Sequence, residues 1–98
     1  MYHEALDRSS GVRSAFSMIH PSQIRAARGL LGINQTELAR RAKVGVATVK
    51  RIEGSDNSLR VTVETLLRLQ HALEKSGILF LSEDDANGPG VRFKKRNP

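Results

Sequence analysis

The residues best equipped for chemistry are two neighbouring cations, Lys50 and Arg51, in a segment that contains few acids. Residues 21–54 hold seven Lys and Arg against two Asp and Glu, whereas the whole chain of 98 residues has a net charge of +6. A concentrated set of N–H donors with positive potential suits a polyanionic partner. Charge alone leaves a second interpretation open, because a solvated surface has the same composition.

Side chains suited to catalysis or metal binding are present but are not arranged for it. His3, His20 and His71 lack metal-ligand spacing, and Asp84 and Asp85 are adjacent in a turn rather than opposed across a site. The chain contains no Cys, which excludes thiolate ligands, cysteine nucleophiles and disulfides. We therefore expect no catalytic residues, no metal and no cofactor.

Short helices are predicted to position the two cations. A first helix is predicted from Pro21, a residue that suits the first helical position, to just before Gly32. Asn34 is the predicted N-cap of a second helix that ends at Ala42, with Glu37 reaching back to it in a capping box. Three residues then remain for a tight turn before the next helix.

A third helix is predicted from Gly45, its cap, to about Gly54. At 100° per residue, Val49 and Ile52 lie on one side, which we assign to the core. The other side then faces outward, and its members are Val46, Ala47, Lys50 and Arg51. The C-terminal half is predicted to contain a helix over 62–75 and a hairpin with strands at 78–81 and 91–95, joined by the turn-rich stretch SEDDANGPG.

Two short helices joined by a three-residue turn, the second with an exposed basic side, have the layout of a helix-turn-helix unit. The stretch NQTELARRA at 34–42, followed by Val44 and by ATVKRIE at 47–53, resembles the Cro and phage-repressor (XRE-type) family. The resemblance covers residues 21 to about 75. It implies an all-α core in a lambda-repressor-like bundle of four to five helices, to which the sequence adds a short C-terminal β-hairpin.

The outward side of the third helix predicts base-reading residues and the helix starts predict phosphate-binding residues; for Gln35 the family resemblance implies the same role. Lys50 and Arg51 can donate to guanine O6 and N7, and Val46 and Ala47 can contact a thymine methyl group. The alternatives are that Lys50 and Arg51 contact only phosphate, and that Val46 and Ala47 are exposed residues with no role in binding. The predicted phosphate-binding residues are Gln35, at a helix start where backbone N–H groups are free, and Asn34, Lys43 and Thr48.

Arg28 and Lys43 lead to two further predictions about the structure. Arg28 lies on the inward side of the first helix, where a charge needs a partner, and the family resemblance suggests a largely buried ion pair with Glu53. Lys43 departs from the family pattern, which usually has Gly in this turn. Glycine permits a positive φ, so lysine must either bear strain or adopt a different turn.

Relatives of this type usually dimerise, and the C-terminal segment is the candidate element. The predicted dimerisation residues are Leu67, Ile78, Phe80, Val91 and Phe93. The alternative is that Phe80 and Phe93 only complete the core of the monomer. The predicted organisation is a flexible arm at 1–19, a DNA-binding domain at 20–77, and a hairpin with a basic tail at 78–98; the arm and tail either contact DNA or have no such role.

These features together predict a sequence-specific regulator that binds double-stranded DNA as a homodimer and represses by reading a palindromic operator through the major groove. The alternative function is a protein-interaction module, such as an antitoxin or antiactivator, that binds a partner through its C-terminal half. No apolar run is long enough to cross a bilayer. We therefore expect a cytoplasmic, nucleoid-associated protein with no membrane partner and no small-molecule ligand.

Overall fold

Four helices followed by a two-stranded antiparallel sheet make up the computed structural model, which describes residues 19–54 and 61–95. The elements are α1 (Pro21–Leu31), α2 (Gln35–Ala42), α3 (Val46–Glu53), α4 (Val63–Lys75), β1 (Ile78–Leu81) and β2 (Gly90–Phe93). The predicted fold class, a small helical bundle with a C-terminal hairpin, is confirmed. Residues 1–18 of the predicted arm and the last tail residues, 96–98, lie outside the described residues. Ile19, which the prediction also placed in the flexible arm, is 5% exposed and packs in the core, so its assignment to the arm is wrong.

The core lies between the inward sides of α1, α2, α3 and α4 and one face of the sheet. Its fully buried members include Ile24 of α1, Leu38 of α2, Ile52 of α3 and Leu69 of α4. Apolar residues three to four positions apart share one side of a helix, and for α3 this periodicity correctly assigned Ile52 to the core.

The predicted capping box at the start of α2 forms only in part. Asn34 Oδ1 accepts a hydrogen bond from Glu37 N at 2.8 Å, as predicted. The carboxylate of Glu37 does not reach back to the cap, because it binds the guanidinium groups of Arg40 and Arg41, three and four positions later. A charged donor outcompetes a neutral backbone N–H for a carboxylate. The reciprocal bond is found at α1 instead, where His20 N donates to Gln23 Oε1 at 2.7 Å.

The turn between α2 and α3 keeps a left-handed residue although its position is not glycine. Lys43, the C-cap of α2, has φ 59° and ψ 46°, and no other non-glycine residue among those described has a positive φ. Its N–H donates to Arg40 O, and Val44 N donates to Ala39 O, which closes the helix end. Of the two alternatives, lysine therefore bears the strain and the turn geometry is retained.

Replacing Lys43 by glycine is expected to stabilise the protein, because a side chain in the left-handed region costs about 1–2 kcal/mol, part of which is offset by the greater freedom of glycine in the unfolded chain. Lys43→Ala is the matched control, since it removes the same charge but keeps Cβ. In urea unfolding, we expect the free energy of unfolding of Lys43→Gly to exceed that of Lys43→Ala by about 1 kcal/mol. Equal stability of the two variants would mean that the turn is not strained.

The hairpin is held against the helices and buries two residues that were predicted to mediate dimerisation. Ile78 is 0% exposed and Phe80 is 1% exposed within a single chain. Their assignment to an intermolecular contact is therefore wrong, because both side chains already complete the monomer core. Val91 is half-buried against the core, and Phe93 is 51% exposed, so the alternative of a core role does not apply to Phe93. Leu67, on α4, is 38% exposed.

Candidate nucleic-acid interface

The outward side of α3 presents the four residues predicted to read bases. Val49 and Ile52 are 0% exposed, which fixes the rotation of the helix about its axis. All four residues opposite them are exposed, and they are Val46, Ala47, Lys50 and Arg51. Within the described ranges 19–54 and 61–95, the structure gives the side chains of Lys50 and Arg51 no hydrogen bond or ion pair. Their N–H groups are therefore available to a ligand.

A charged cluster at the end of α3 ties this helix to α1 and α2. Arg28 binds Glu53 through two bonds, Nε to Oε2 and Nη2 to Oε1, each 2.8 Å long. The side chain of Glu53 is 3% exposed and that of Arg28 is 22% exposed. Arg28 Nη1 also donates to Ile33 O at 3.1 Å, and Arg25 Nη1 donates to Glu53 O. The planar guanidinium of Arg28 suits this two-point contact with the Glu53 carboxylate, which holds the end of α3 against α1.

The side chain of Gln35, which was predicted to bind phosphate, makes a hydrogen bond within the protein. Its Nε2 donates to Glu53 Oε1 at 3.0 Å, so the side chain completes the charged cluster. One N–H bond of the amide remains, together with the backbone N–H groups in the first turn of α2, which lack an acceptor within the helix. A phosphate contact by Gln35 therefore remains a prediction that rests on these groups.

The other predicted phosphate-binding residues lie near the start of α2 and the start of α3. Asn34 is exposed, although its side-chain oxygen is used in capping. Lys43 is exposed in the turn before α3, and its carbonyl accepts from Arg68 Nη1 at 3.2 Å. Thr48 is half-buried on α3. Because Gln35 contacts the end of α3 and Lys43 precedes its start, these candidates flank both ends of the helix.

The charged cluster sets the protonation of its acid. Burial acts to raise the pKa of Glu53, but hydrogen bonds from Arg28 and Gln35 outweigh burial, and the net pKa is lowered. The hydrogen bond to Glu53 raises the pKa of Arg28. On the exposed side of α2, hydrogen bonds from Arg40 and Arg41 lower the pKa of Glu37 to about 2. Both carboxylates therefore remain charged at neutral pH.

Stability is expected to fall on acidification below a pH of about 4.5. Glu53 and Glu37 have a lowered pKa in the folded state, whereas the ordinary value is 4.5. Their contribution is present above the ordinary pKa and is lost as the pH falls through the folded-state pKa. Melting temperatures measured from about pH 7 to pH 2 should therefore decrease. Glu53→Gln should flatten this decrease, and stability that rises toward pH 2 would contradict the assignment.

Three structural contacts were not anticipated from the sequence. Arg25 binds the last carbonyl of α3, Gln23 connects α1 to the hairpin, and Arg68 connects α4 to the turn before α3. The only sequence signal for the Gln23 contact was that this polar residue lies next to the buried stripe of α1. Exposed arginines such as Arg25 and Arg68 have no sequence signal, because their acceptors are backbone carbonyls of distant elements.

In the part of the chain that the structure describes, no three His, Cys, Asp or Glu side chains converge in a way that would hold a metal ion. The described helices include none that is both long and apolar enough to span a membrane.

A buried cluster that orients a short helix, with two unpaired cations on its exposed side, is the arrangement of a helix-turn-helix DNA-binding unit. Comparison with protein families agrees, because residues 24–80 match the helix-turn-helix family model. The chain belongs to this family, in its XRE-type, Cro and repressor-like branch. It is thus a DNA-binding regulator, and the family is typically non-enzymatic. The search of curated proteins gave no match.

Proposed function

We propose that this protein represses transcription by binding, as a homodimer, to a palindromic operator that α3 reads in the major groove. The observation that carries the proposal is the exposure of Lys50 and Arg51 on the side of α3 opposite the buried Val49 and Ile52. A major groove about 12 Å wide accepts a helix in this orientation, and both cations can donate to guanine. The neighbouring Val46 and Ala47 supply apolar contacts to thymine.

Recognition requires that α3 is rigid relative to the phosphate contacts. The cluster of Arg28, Glu53 and Gln35 supports this, because it joins the end of α3 to the start of α2. The helix starts that grip phosphates and the helix that enters the groove then move as one body. Phosphate contacts fix the register on the duplex, and base contacts supply the sequence preference.

One copy of α3 covers one half-site, so we propose two copies on half-sites separated by about 34 Å, one turn of DNA. Repression requires only occupancy of the operator, which this domain can supply directly. A regulator of this kind acts where the DNA is, in agreement with the cytoplasmic, nucleoid-associated location expected from the sequence.

Selection from random duplexes tests the proposal, because the enriched motif reports sequence, symmetry and spacing together. Binding should weaken steeply with salt, and each phosphate neutralised contributes about −0.9 to the slope of log K against log salt concentration. Lys50→Ala should reduce affinity, with Lys75→Ala as the control for an exposed cation on α4. A flat salt response without an enriched motif would instead favour a protein-interaction module that binds a partner through the C-terminal half.

A further inference from the structure

The loop that joins β1 to β2, residues 82–89, contains an asparagine followed by a glycine. Asn87 and Gly88 are both exposed, and neither belongs to a helix or a strand. The backbone nitrogen that follows an asparagine can attack the carbonyl carbon of its side chain, because the two atoms close a five-membered ring. Glycine hinders this approach least, since it has no Cβ. The pair is thus a candidate for a reaction within the chain itself.

The nucleophile of this reaction, the Gly88 nitrogen, is not held by the fold. Among the residues that the structure describes, no acceptor is found for the Gly88 N–H. The space around Gly88 is also open, because a Cβ added there would meet no atom of a non-adjacent residue within 4 Å. In this part of the described chain, neither a hydrogen bond nor a neighbouring side chain keeps the nitrogen away from Asn87.

The backbone of Asn87, by contrast, is fixed by Asp84. Asn87 N donates to Asp84 Oδ1 at 2.7 Å, and Asp84 N donates to Asn87 O at 2.8 Å. The Asn87 side chain also hydrogen-bonds to the Asp84 carboxylate. Both residues are exposed, so water competes for this side-chain contact and the amide can leave it. The loop therefore holds the Asn87 backbone in place while the Gly88 nitrogen is free to approach the side chain.

Asn34 provides an internal comparison in which the same reaction is blocked. Its Oδ1 accepts a hydrogen bond from Glu37 N at 2.8 Å, and the next residue, Gln35, begins α2. The helix fixes the position of the Gln35 nitrogen, and the Cβ of Gln35 adds hindrance that glycine lacks. The two asparagines therefore differ both in the freedom of the nucleophile and in the space around it.

We propose that Asn87 and Gly88 form a site of spontaneous deamidation, which adds a carboxylate to the loop between β1 and β2 and weakens that loop. The Gly88 nitrogen bonds to Cγ of Asn87, the Cγ–Nδ2 bond breaks, and the Gly88 proton leaves with the amide group as ammonia. Water then opens the cyclic imide, its hydroxyl joining one carbonyl carbon and its proton the ring nitrogen. Water is the co-reactant, and no atom is oxidised or reduced. The reaction does not depend on the proposed DNA binding.

Two products follow from the two carbonyl carbons of the imide. Opening at Cγ gives aspartate, and opening at the backbone carbonyl carbon gives isoaspartate, in which the chain runs through the former side chain. Each product lowers the net charge of the chain, +6, by one. A donor to Asp84 is replaced by a like charge, beside the exposed acids Glu83 and Asp85. Isoaspartate also lengthens the connection between the strands by one atom, so both changes act against the contacts that close the loop.

Peptide mass spectrometry of the full-length protein, kept at neutral pH and sampled over time, tests the proposal. After trypsin digestion, peptide 76–92 contains Asn87 as its only side-chain amide, and peptide 29–40 contains Asn34. We expect peptide 76–92 to convert to a mixture of aspartate and isoaspartate while Asn34 stays unchanged. A synthetic peptide of residues 82–90 sets the time scale.

The products identify the route, because direct hydrolysis of the amide gives aspartate alone and isoaspartate requires the cyclic imide. Aspartate without isoaspartate in peptide 76–92 would overturn the proposal. So would a peptide 76–92 that stays unchanged in the protein over the period in which the synthetic peptide converts, since the fold would then protect Asn87.

Gly88→Ala is the matched variant, because it adds a single Cβ where the fold has room for it. Gly88 is not among the described glycines with a positive φ, so alanine bears no left-handed strain there. The rate of conversion should fall by about tenfold or more in Gly88→Ala, with an unchanged melting curve. A folded Gly88→Ala protein that converts as fast as the unmodified chain would overturn the proposal.

The effect on the loop is measured on the modified protein, which cation exchange separates from the fresh protein by its lower net charge. The melting temperature of the modified protein should lie below that of the fresh protein. Asn87→Asp should lie between the two, because it adds the charge but keeps the length of the chain. Equal melting temperatures for all three would overturn the proposed weakening of the loop.

Discussion

Arg51→Ala is expected to remove the sequence preference of the protein while leaving its stability unchanged. The side chain is exposed and has no partner among the described residues, so its loss disturbs no contact within the fold. A bidentate contact to guanine contributes about 1–3 kcal/mol of discrimination, and a two-fold complex loses it in both half-sites. We expect affinity for the selected operator to fall by about tenfold or more for each half-site, as measured by fluorescence anisotropy.

The pattern of loss distinguishes base reading from a phosphate contact. If Arg51 reads a base, Arg51→Ala weakens binding to the operator but changes binding to unrelated duplexes little. If it contacts only phosphate, affinity decreases by the same factor on every duplex and the salt slope falls by about 1 for each contact. Lys75→Ala, which removes an exposed cation from α4, should change neither quantity. An Arg51→Ala variant with unchanged operator affinity would refute the placement of α3 in the groove.

Arg28→Ala is expected to destabilise the fold more than substitutions of the exposed cations Lys50, Arg51 and Lys75. It would leave the carboxylate of Glu53, which is 3% exposed, without its cation. Removing one partner of a buried pair costs about 3–5 kcal/mol. For a domain of this size, such a loss lowers the melting temperature by about 10 °C or more. Circular dichroism melting measures the effect, and an unchanged melting curve would refute the structural role of the pair.

Two variants separate the loss of the pair from the loss of a charge. Glu64→Ala breaks the exposed pair between Glu64 and Arg68, whose side chains are 72% and 50% exposed, and should cost about 1 kcal/mol or less. The double variant Arg28→Met with Glu53→Met removes both buried charges and should recover much of the stability lost by Arg28→Ala. If the double variant is less stable than Arg28→Ala, the cluster stabilises the fold through packing. The unpaired carboxylate of Glu53 is then not the main cause of the loss in Arg28→Ala.

Local patterns in the chain accounted for most of the helical part of the fold. The ends of α1 and α3 followed from Gly32 and Gly54, and the start of α2 followed from Asn34, because capping residues act within a few positions of the chain. The outward placement of Lys50 and Arg51 followed from the periodicity of α3 alone, since burying one side of a helix fixes the other. The candidate base-reading surface was therefore available from the sequence.

Choices between competing partners were not available from the sequence. Glu37 had both its cap and two arginines within reach, and Gln35 was predicted to bind phosphate but donates its side-chain amide to Glu53. Which partner each side chain binds depends on distances between elements, which periodicity does not contain. For the same reason, the apolar run of β1 predicted a strand but could not distinguish a dimer contact from the monomer core.

The sequence by itself determined the helix order, the inward and outward sides of α3, and membership of the helix-turn-helix class, because these depend on residue types at short spacing. Only the tertiary structure decided that Lys43 keeps the left-handed turn and that Ile78 and Phe80 are buried within one chain. Those outcomes depend on how elements distant in the chain pack together, and packing is a property of the whole fold.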